Sequence, residues 1–133
     1  MTAPTLTIPR HHRDALYDLI WRRNLLFSGG PAELGRAEGV SNQQVCEEIR
    51  EEQRLKEDLT ERDSFDLTMR VETLRATLTR LRDDAERAQT ERPRPWEPRE
   101  DEKVRKGRLC SGAYTCKLLL EQLDPPSSSG GGP

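Results

Sequence analysis

Cysteine and histidine, the side chains that most often carry metal or nucleophilic chemistry, are few in this chain and poorly spaced for it. Cys46, Cys110 and Cys116 form no CxxC pair, and His11 and His12 are adjacent, so their rings point to different sides of a helix. No glycine-rich phosphate loop and no combination of nucleophile and base accompanies them. The sequence therefore predicts no enzyme, no cofactor and no metal site, and the cysteines are expected to be small buried thiols.

A run of three polar amides forms a second candidate site, directly after the tripeptide Gly-Val-Ser at residues 39–41. Residues 31–45 resemble the helix-turn-helix of bacterial DNA-binding regulators, in which Gly-Val-Ser would form the turn and Val45 would anchor the recognition helix. The resemblance implies that the amides face base edges in the major groove, where an amide can pair bidentately with adenine. These candidate DNA contacts are Asn42, Gln43 and Gln44.

Several residues of this segment depart from the helix-turn-helix pattern. Gly35 stands where alanine is usual, and Glu38 and Glu48 stand at positions that are usually apolar. Four acids would also lie near the phosphates that a DNA-binding protein must neutralise, and these are Glu47, Glu48, Glu51 and Glu52. The favoured interpretation is a loop followed by an acidic helix, which Ser41 and Gln44 begin with a capping box. DNA binding is the alternative.

The proline-rich residues 92–98, Arg-Pro-Arg-Pro-Trp-Glu-Pro, match the arginine-led PxxP pattern that SH3-type grooves accept in polyproline II form. Matches of this length are common by chance. Because three prolines cannot continue a helix, a rigid spacer between two helices explains them equally well. The sequence favours the spacer.

One helix is marked more strongly than the others. Apolar residues recur at alternating steps of three and four between residues 71 and 88, over about two and a half heptads, which is too short for a free-standing coiled coil. We therefore expect a helical pair, with residues 99–123 as the second arm and residues 89–98 as a proline-rich bend. Gly107 and Gly112 would each cost the second arm ~1 kcal/mol. The candidate interaction face is Val71, Leu74, Leu78 and Leu81.

The rest of the chain predicts a mainly α fold, a small helical bundle. A helix should run from Pro9 to about Phe27, and another should start at Ser41 with a thin apolar face, because Glu52 interrupts it and suggests partial exposure. Two short β-favouring segments, residues 5–8 and 65–69, could pair as a two-stranded sheet. One helical domain over residues 1–124 and a disordered tail over residues 125–133 complete the expected organisation.

Charge and hydropathy exclude some classes of partner. The formal net charge is −2, with 22 basic and 24 acidic residues, which disfavours a nucleic-acid or membrane-surface role for the whole molecule. The apolar stretches are far shorter than the ~20 residues of a membrane span, and no secretion signal is evident, so a cytoplasmic protein is expected.

Two stretches resemble short uncharacterised bacterial proteins of similar length. They are Leu-Thr-Ile-Pro-Arg with Asp-Ala-Leu-Tyr-Asp-Leu-Ile in residues 6–20, and Asp-Leu-Thr-Met through Leu-Arg-Asp-Asp-Ala-Glu in residues 66–86. This resemblance implies an architecture and no activity.

The leading hypothesis is a module that acts through contacts with an unidentified protein or as a homodimer, with no small-molecule ligand evident. The alternative hypothesis is a helix-turn-helix transcriptional regulator.

Overall fold

The computed structural model describes residues 5–28, 30–61, 64–66, 70–93 and 99–123. Its elements in this part of the chain are β1 (Thr5–Thr7), α1 (Arg10–Ser28), α2 (Pro31–Glu38), α3 (Asn42–Glu61), β2 (Ser64–Asp66), α4 (Val71–Ala88) and α5 (Glu102–Leu123). The predicted mainly helical class is confirmed, and α4 has the predicted bounds. Residues 67–69 of the predicted second strand, residues 94–98 of the predicted bend and the predicted tail lie outside the described residues.

The two strands lie at the start of α1 and the end of α3. β1 pairs with β2 in antiparallel register, with Leu6 opposite Phe65. Ile8 follows β1 and is buried in the main core. The carbonyl oxygen of Pro9 then accepts the N–H groups of His12 and Arg13, both at 3.0 Å, which satisfies donors that the first turn of a helix leaves unpaired.

The main core lies between α4, α5, α1 and the second half of α3. Its buried residues are Ile8, Leu16, Leu19, Ile20, Leu55, Leu59, Leu74, Leu78, Leu81, Ala85, Ala88, Leu109, Ala113, Cys116 and Leu119. The candidate interaction face of α4 is therefore occupied within the chain, because Leu74, Leu78 and Leu81 are at most 1% exposed and only Val71, at the end of the stripe, is half-buried. A partner cannot reach these leucines in this structure.

A second, smaller core joins the end of α1 to α2 and to the first half of α3. It consists of Leu26, Leu34, Val45 and Ile49, with Phe27 and Val40 packed against it. The interpretation of residues 31–38 as a loop is wrong, since α2 occupies them. Proline fixes φ near the helical value and suits the first helical position, and Leu34 gives the short helix an apolar side chain to bury.

Two contacts of α5 determine how closely it packs. Gly112 faces α1, where an added Cβ would lie 2.6 to 2.8 Å from the side-chain carbons of Leu19. The glycine that the sequence suggested as a cost to the helix thus permits a close approach of α5 to α1. Arg105 Nη1 donates to the carbonyl oxygens of Ala88, at 3.1 Å, and Glu91, at 3.3 Å, so a cation satisfies the carboxyl end of α4.

Among the helices described, none combines the length and the apolar character that crossing a bilayer requires.

Candidate functional site

α2 and α3 are joined by a turn of three residues. Gly39 has φ +74°, the left-handed conformation that glycine adopts without strain, and its N–H donates to the carbonyl oxygen of Gly35. The N–H of Val40 donates to the same oxygen at 2.9 Å, as in a Schellman motif. Ser41 Oγ accepts the N–H of Gln44 at 3.1 Å and caps α3. We call α2, this turn and α3 the α2–α3 unit, which covers the segment whose sequence resembles a helix-turn-helix.

The capping box predicted at the start of α3 is only half formed. Ser41 plays the predicted part, but Gln44 does not reach back to it, because Gln44 Nε2 donates to Glu48 Oε2 at 3.2 Å. The amide that was expected to face DNA is therefore bonded to an acidic side chain of the same helix.

Gly35 leaves no room for a side chain at the turn. A Cβ built there would lie 2.6 Å from the carbonyl oxygen of Val40, and that backbone atom cannot move without opening the turn. We expect Gly35→Ala to lower the free energy of unfolding by about 1–3 kcal/mol in urea titrations, as overpacking does. Gly107→Ala is the matched control, because nothing lies within 4 Å of its Cβ position, and it should gain up to about 1 kcal/mol. Equal effects of the two variants would contradict the tight turn.

A buried arginine lies behind the turn, in the middle of α1. Arg23 is 0% exposed, and its guanidinium bonds to three carboxylates of α2 and α3. Nη1 donates to Glu38, Nη2 to Glu48 at 3.0 Å and Nε to Glu52 at 3.2 Å. Burial opposes the charge, but the carboxylates of Glu52, Asp84 and Glu38 outweigh it and raise the pKa of Arg23 above its ordinary value. The guanidinium therefore remains charged.

α4 contributes a second set of ion pairs. Arg80 Nε donates to Glu52 Oε2 at 2.8 Å and Nη2 donates to the carbonyl oxygen of Glu48 at 3.2 Å. Asp84 accepts from Arg22 at 2.5 Å and from Arg87 at 2.7 Å. We use the name ion cluster for the members of this group whose side chains are at most 14% exposed, which are Arg22, Arg23, Glu38, Glu48, Glu52, Arg80 and Asp84.

The ion cluster separates the two apolar cores. Along α1 it lies between Ile20 of the main core and Leu26 of the second core, and along α3 its Glu52 lies between Ile49 and Leu55, while Glu48 adjoins Ile49. Glu52 is 0% exposed, so the expectation that it marks an exposed stretch of α3 is wrong. A signal was present in the sequence, because Glu48 and Glu52 both fall at inward helical positions and buried acids require a cation. Arg23 occupies an inward position of α1.

The burial of these acids changes the charge of the opposite side of α3. Its exposed residues form what we call the outer face, which is Asn42, Gln43, Glu47, Arg50, Arg54 and Glu57. Of the four acids expected to repel phosphates, Glu48 and Glu52 point inward, and Glu51 Oε1 lies 3.4 Å from Arg80 Nη2. The expected repulsion is therefore wrong for Glu48 and Glu52, and the outer face retains Glu47 and Glu57.

Three arginines of the α2–α3 unit are exposed. They are Arg36 of α2 and Arg50 and Arg54 of α3, and none of them forms an ion pair with another described residue. Arg50 and Arg54 thus share the outer face with the predicted Asn42 and Gln43. The spacing of Gln43, Glu47, Arg50 and Arg54 by steps of four, three and four puts them on one stripe.

The His11 and His12 rings lie against each other, with centroids 4.1 Å apart, so the expectation that they point to different sides of the helix is wrong. Cys116 is buried, which raises the pKa of its thiol to about 12, whereas Cys46 is half-buried and Cys110 is exposed. The expectation of buried thiols is therefore right for Cys116 and wrong for Cys110. No group of three His, Cys, Asp or Glu side chains within the described ranges could hold a metal ion.

No family model, no curated protein and no solved structure matches this chain.

Proposed function

We propose that this protein binds duplex DNA in the cytoplasm through its α2–α3 unit, with the outer face of α3 in the major groove. The observation that supports this role best is the division of charge on α3, whose central acids are bonded to Arg23 and Arg80 while amides and arginines face outward. Asn42 and Gln43 are suited to adenine, and Arg50 to guanine or to a phosphate. The proposed role is binding without catalysis.

The formal net charge of −2 does not oppose this role, because binding depends on the local charge of the contact surface. On the outer face Arg50 and Arg54 balance Glu47 and Glu57, and Arg36 of α2 is a further exposed cation. Phosphate contacts by arginine release counterions, so the proposed affinity for DNA is strongly salt-dependent. Such contacts position the protein, and the amides would supply the sequence preference.

Fluorescence anisotropy with a duplex of random sequence tests the electrostatic part of the proposal. We expect binding at low salt that weakens as salt rises, and we expect Arg50→Glu to weaken it about tenfold or more and to reduce the salt slope by about one. Lys117→Glu is the matched control, since Lys117 is equally exposed but lies on α5. Absence of binding even at low ionic strength would overturn the proposal.

Selection of bound duplexes from a random library tests the base contacts. Asn42→Ala and Gln43→Ala should each relax the preference at one or two positions, at a cost of about 1–3 kcal/mol for the preferred base. Gln44→Ala should leave the selected sequence unchanged, because this amide is bonded to Glu48. If all three variants select the same sequences as the parent, the outer face does not read bases.

A second proposed function is self-association through an exposed stripe of α5. A dimer would also suit a protein that reads two half-sites of DNA. An exposed stripe runs along this helix at steps of three and four, and its residues are Val104, Gly107, Ser111, Tyr114 and the half-buried Leu118. Val104 is 53% and Tyr114 58% exposed. α5 packs against α4 and α1 with this stripe on its exposed side.

A second copy of the chain is the proposed partner. An antiparallel pairing of two α5 helices would put Lys103 of one copy near Glu121 of the other, and both residues are exposed. Sedimentation equilibrium should find a dimer that Tyr114→Arg converts to monomer, while Trp21→Arg, at an equally exposed aromatic of α1, does not. A short thiol cross-linker should also join two copies through Cys110 and fail on Cys110→Ser. A strict monomer at high concentration would rule this function out.

A further inference from the structure

A cleft of about 570 Å³ lies between the α2–α3 turn and α4. This volume is in the range of small-molecule sites. Glu38 and Val40 line it on the side of the turn, Arg75, Ala76 and Thr79 line it on the side of α4, and Glu48 lies between them. The surface combines apolar and charged groups, as sites for small polar ligands do.

Glu38 lines this cleft and carries an unsatisfied acceptor. Its side chain is only 10% exposed and one oxygen bonds to Arg23, but the other, Oε1, is buried and has no hydrogen-bond partner among the described residues. Glu38 also shares the guanidinium of Arg23 with Glu48 and Glu52 and has no guanidinium of its own among the described residues. Because χ3 of glutamate is a soft torsion, rotation about it would bring Oε1 to a ligand bound in the cleft.

Arg75 presents the complementary cation from the opposite side. It is half-buried, its Nε has no hydrogen-bond partner in the described part of the chain, and it forms no ion pair there. The cleft is thus bounded by an acceptor on α2 and a donor on α4, with the methyl groups of Val40, Ala76 and Thr79 also in its lining. Each charge is costly to bury alone, and a ligand that carries both opposite charges would satisfy them together.

We propose that this cleft binds a small zwitterion, a molecule with a primary ammonium group that pairs with Glu38 and a carboxylate that pairs with Arg75, joined by a short aliphatic chain. The ammonium supplies Glu38 with a cation of its own, and the carboxylate accepts from the guanidinium of Arg75. The aliphatic part packs on the apolar lining of the cleft. The site goes beyond the proposed DNA-binding role and does not depend on it.

The protonation of Glu38 gives this site a signature in pH. Burial and the nearby Glu48 carboxylate raise the pKa of Glu38 to about 6, against the opposing effect of Arg23. The charged groups that bond to it or line the cleft with it are Arg23 of α1, Glu48 of α3 and, on α4, Glu72, Arg75, Arg80, Asp83, Asp84 and Arg87. Because protonation removes the charge that attracts the ammonium, zwitterion affinity should fall as pH drops below about 6, and binding near that pH should release protons.

Binding of ω-amino acids of increasing length to the unmodified chain tests the proposal. Glycine, β-alanine, γ-aminobutyrate, δ-aminovalerate and ε-aminocaproate differ only in the distance between the two charges. At about pH 7.5 and up to about 20 mM, we expect one or two neighbouring lengths to raise the melting temperature and to bind by calorimetry, with n-butylamine and butyrate at least about tenfold weaker. Binding by n-butylamine as strong as that of the best amino acid would overturn the proposal, and so would absence of binding across the series.

Two single-charge variants assign the two ends of the ligand. Glu38→Gln and Arg75→Gln should each weaken the best ω-amino acid about tenfold or more, and Glu38→Gln should also remove the loss of affinity below about pH 6. Arg54→Gln, at an exposed arginine of α3 that does not line the cleft, is the control and should bind as the parent does. Unchanged affinity in both cleft variants, with unchanged folding, would also overturn the proposal.

Discussion

Arg23→Met is expected to lower the free energy of unfolding by about 3–5 kcal/mol, as breaking a buried ion pair does. The substitution removes the guanidinium that bonds to Glu38, Glu48 and Glu52, and leaves three carboxylates in the protein interior with Arg80 as their remaining cation. Since domains of this size are stable by only about 5–15 kcal/mol, a large part of the total would be lost. Urea unfolding followed by circular dichroism measures it.

The loss of unfolding free energy in Arg23→Met should come mainly from the three carboxylates left without a guanidinium. A combined variant separates this electrostatic effect from the loss of packing. Adding Glu38→Gln, Glu48→Met and Glu52→Gln to Arg23→Met removes the unpaired charges, so most of the lost stability should return. Arg50→Met, at an exposed arginine, is the single-site control and should change stability by less than about 0.5 kcal/mol. If Arg23→Met resembled this control, the ion cluster would not be formed in solution.

Leu78→Ala is expected to lower the free energy of unfolding by about 2–5 kcal/mol, because the side chain is 0% exposed at the centre of α4 and its removal leaves a cavity in the main core. α5, α1 and α3 all contribute to that core, so neighbouring side chains can close only part of the space. Chemical denaturation measures the difference from the parent chain.

Val71→Ala serves as the comparison, since Val71 belongs to the same apolar stripe but is half-buried at the start of the helix. It should cost less than about 1 kcal/mol. Similar losses of unfolding free energy in the two variants would mean that α5 does not cover the leucine face of α4. That face would then be available to a partner.

The parts of the fold that the sequence predicted are those that depend on one helix at a time. α4 follows from the steps of three and four between Val71 and Ala88, and the start of α3 follows from a serine that can cap it. Both signals are local, so they survive whatever the rest of the chain does. The sequence does not favour α2, because this short segment has little apolar surface beyond Leu34. The helix is stabilised when Leu34 packs against residues of α1 and α3 in the second core.

For the candidate site, the sequence predicts the exposure of single residues and does not predict the pairings between residues of different helices. Asn42 and Gln43 were expected to face outward, and they are exposed. The interpretation of the neighbouring acids failed because charge was assigned to the surface by default, and the partner that permits burial, Arg23, lies on a different helix. Pairings between distant segments leave no local period in a sequence. The cleft between the α2–α3 turn and α4 could not be foreseen for the same reason.

The layer of charge between the two cores also determines how α1 and α3 are aligned. Leucine and isoleucine occupy both ends of their contact, so apolar packing alone would tolerate a slide of one helical turn, about 5.4 Å, at modest cost. The same slide would move the guanidinium of Arg23 from its place between Glu48 and Glu52 and leave at least one of these carboxylates without it. The ion pairs therefore fix the alignment of α1 relative to α3. They exclude neighbouring alignments that apolar packing alone would not distinguish.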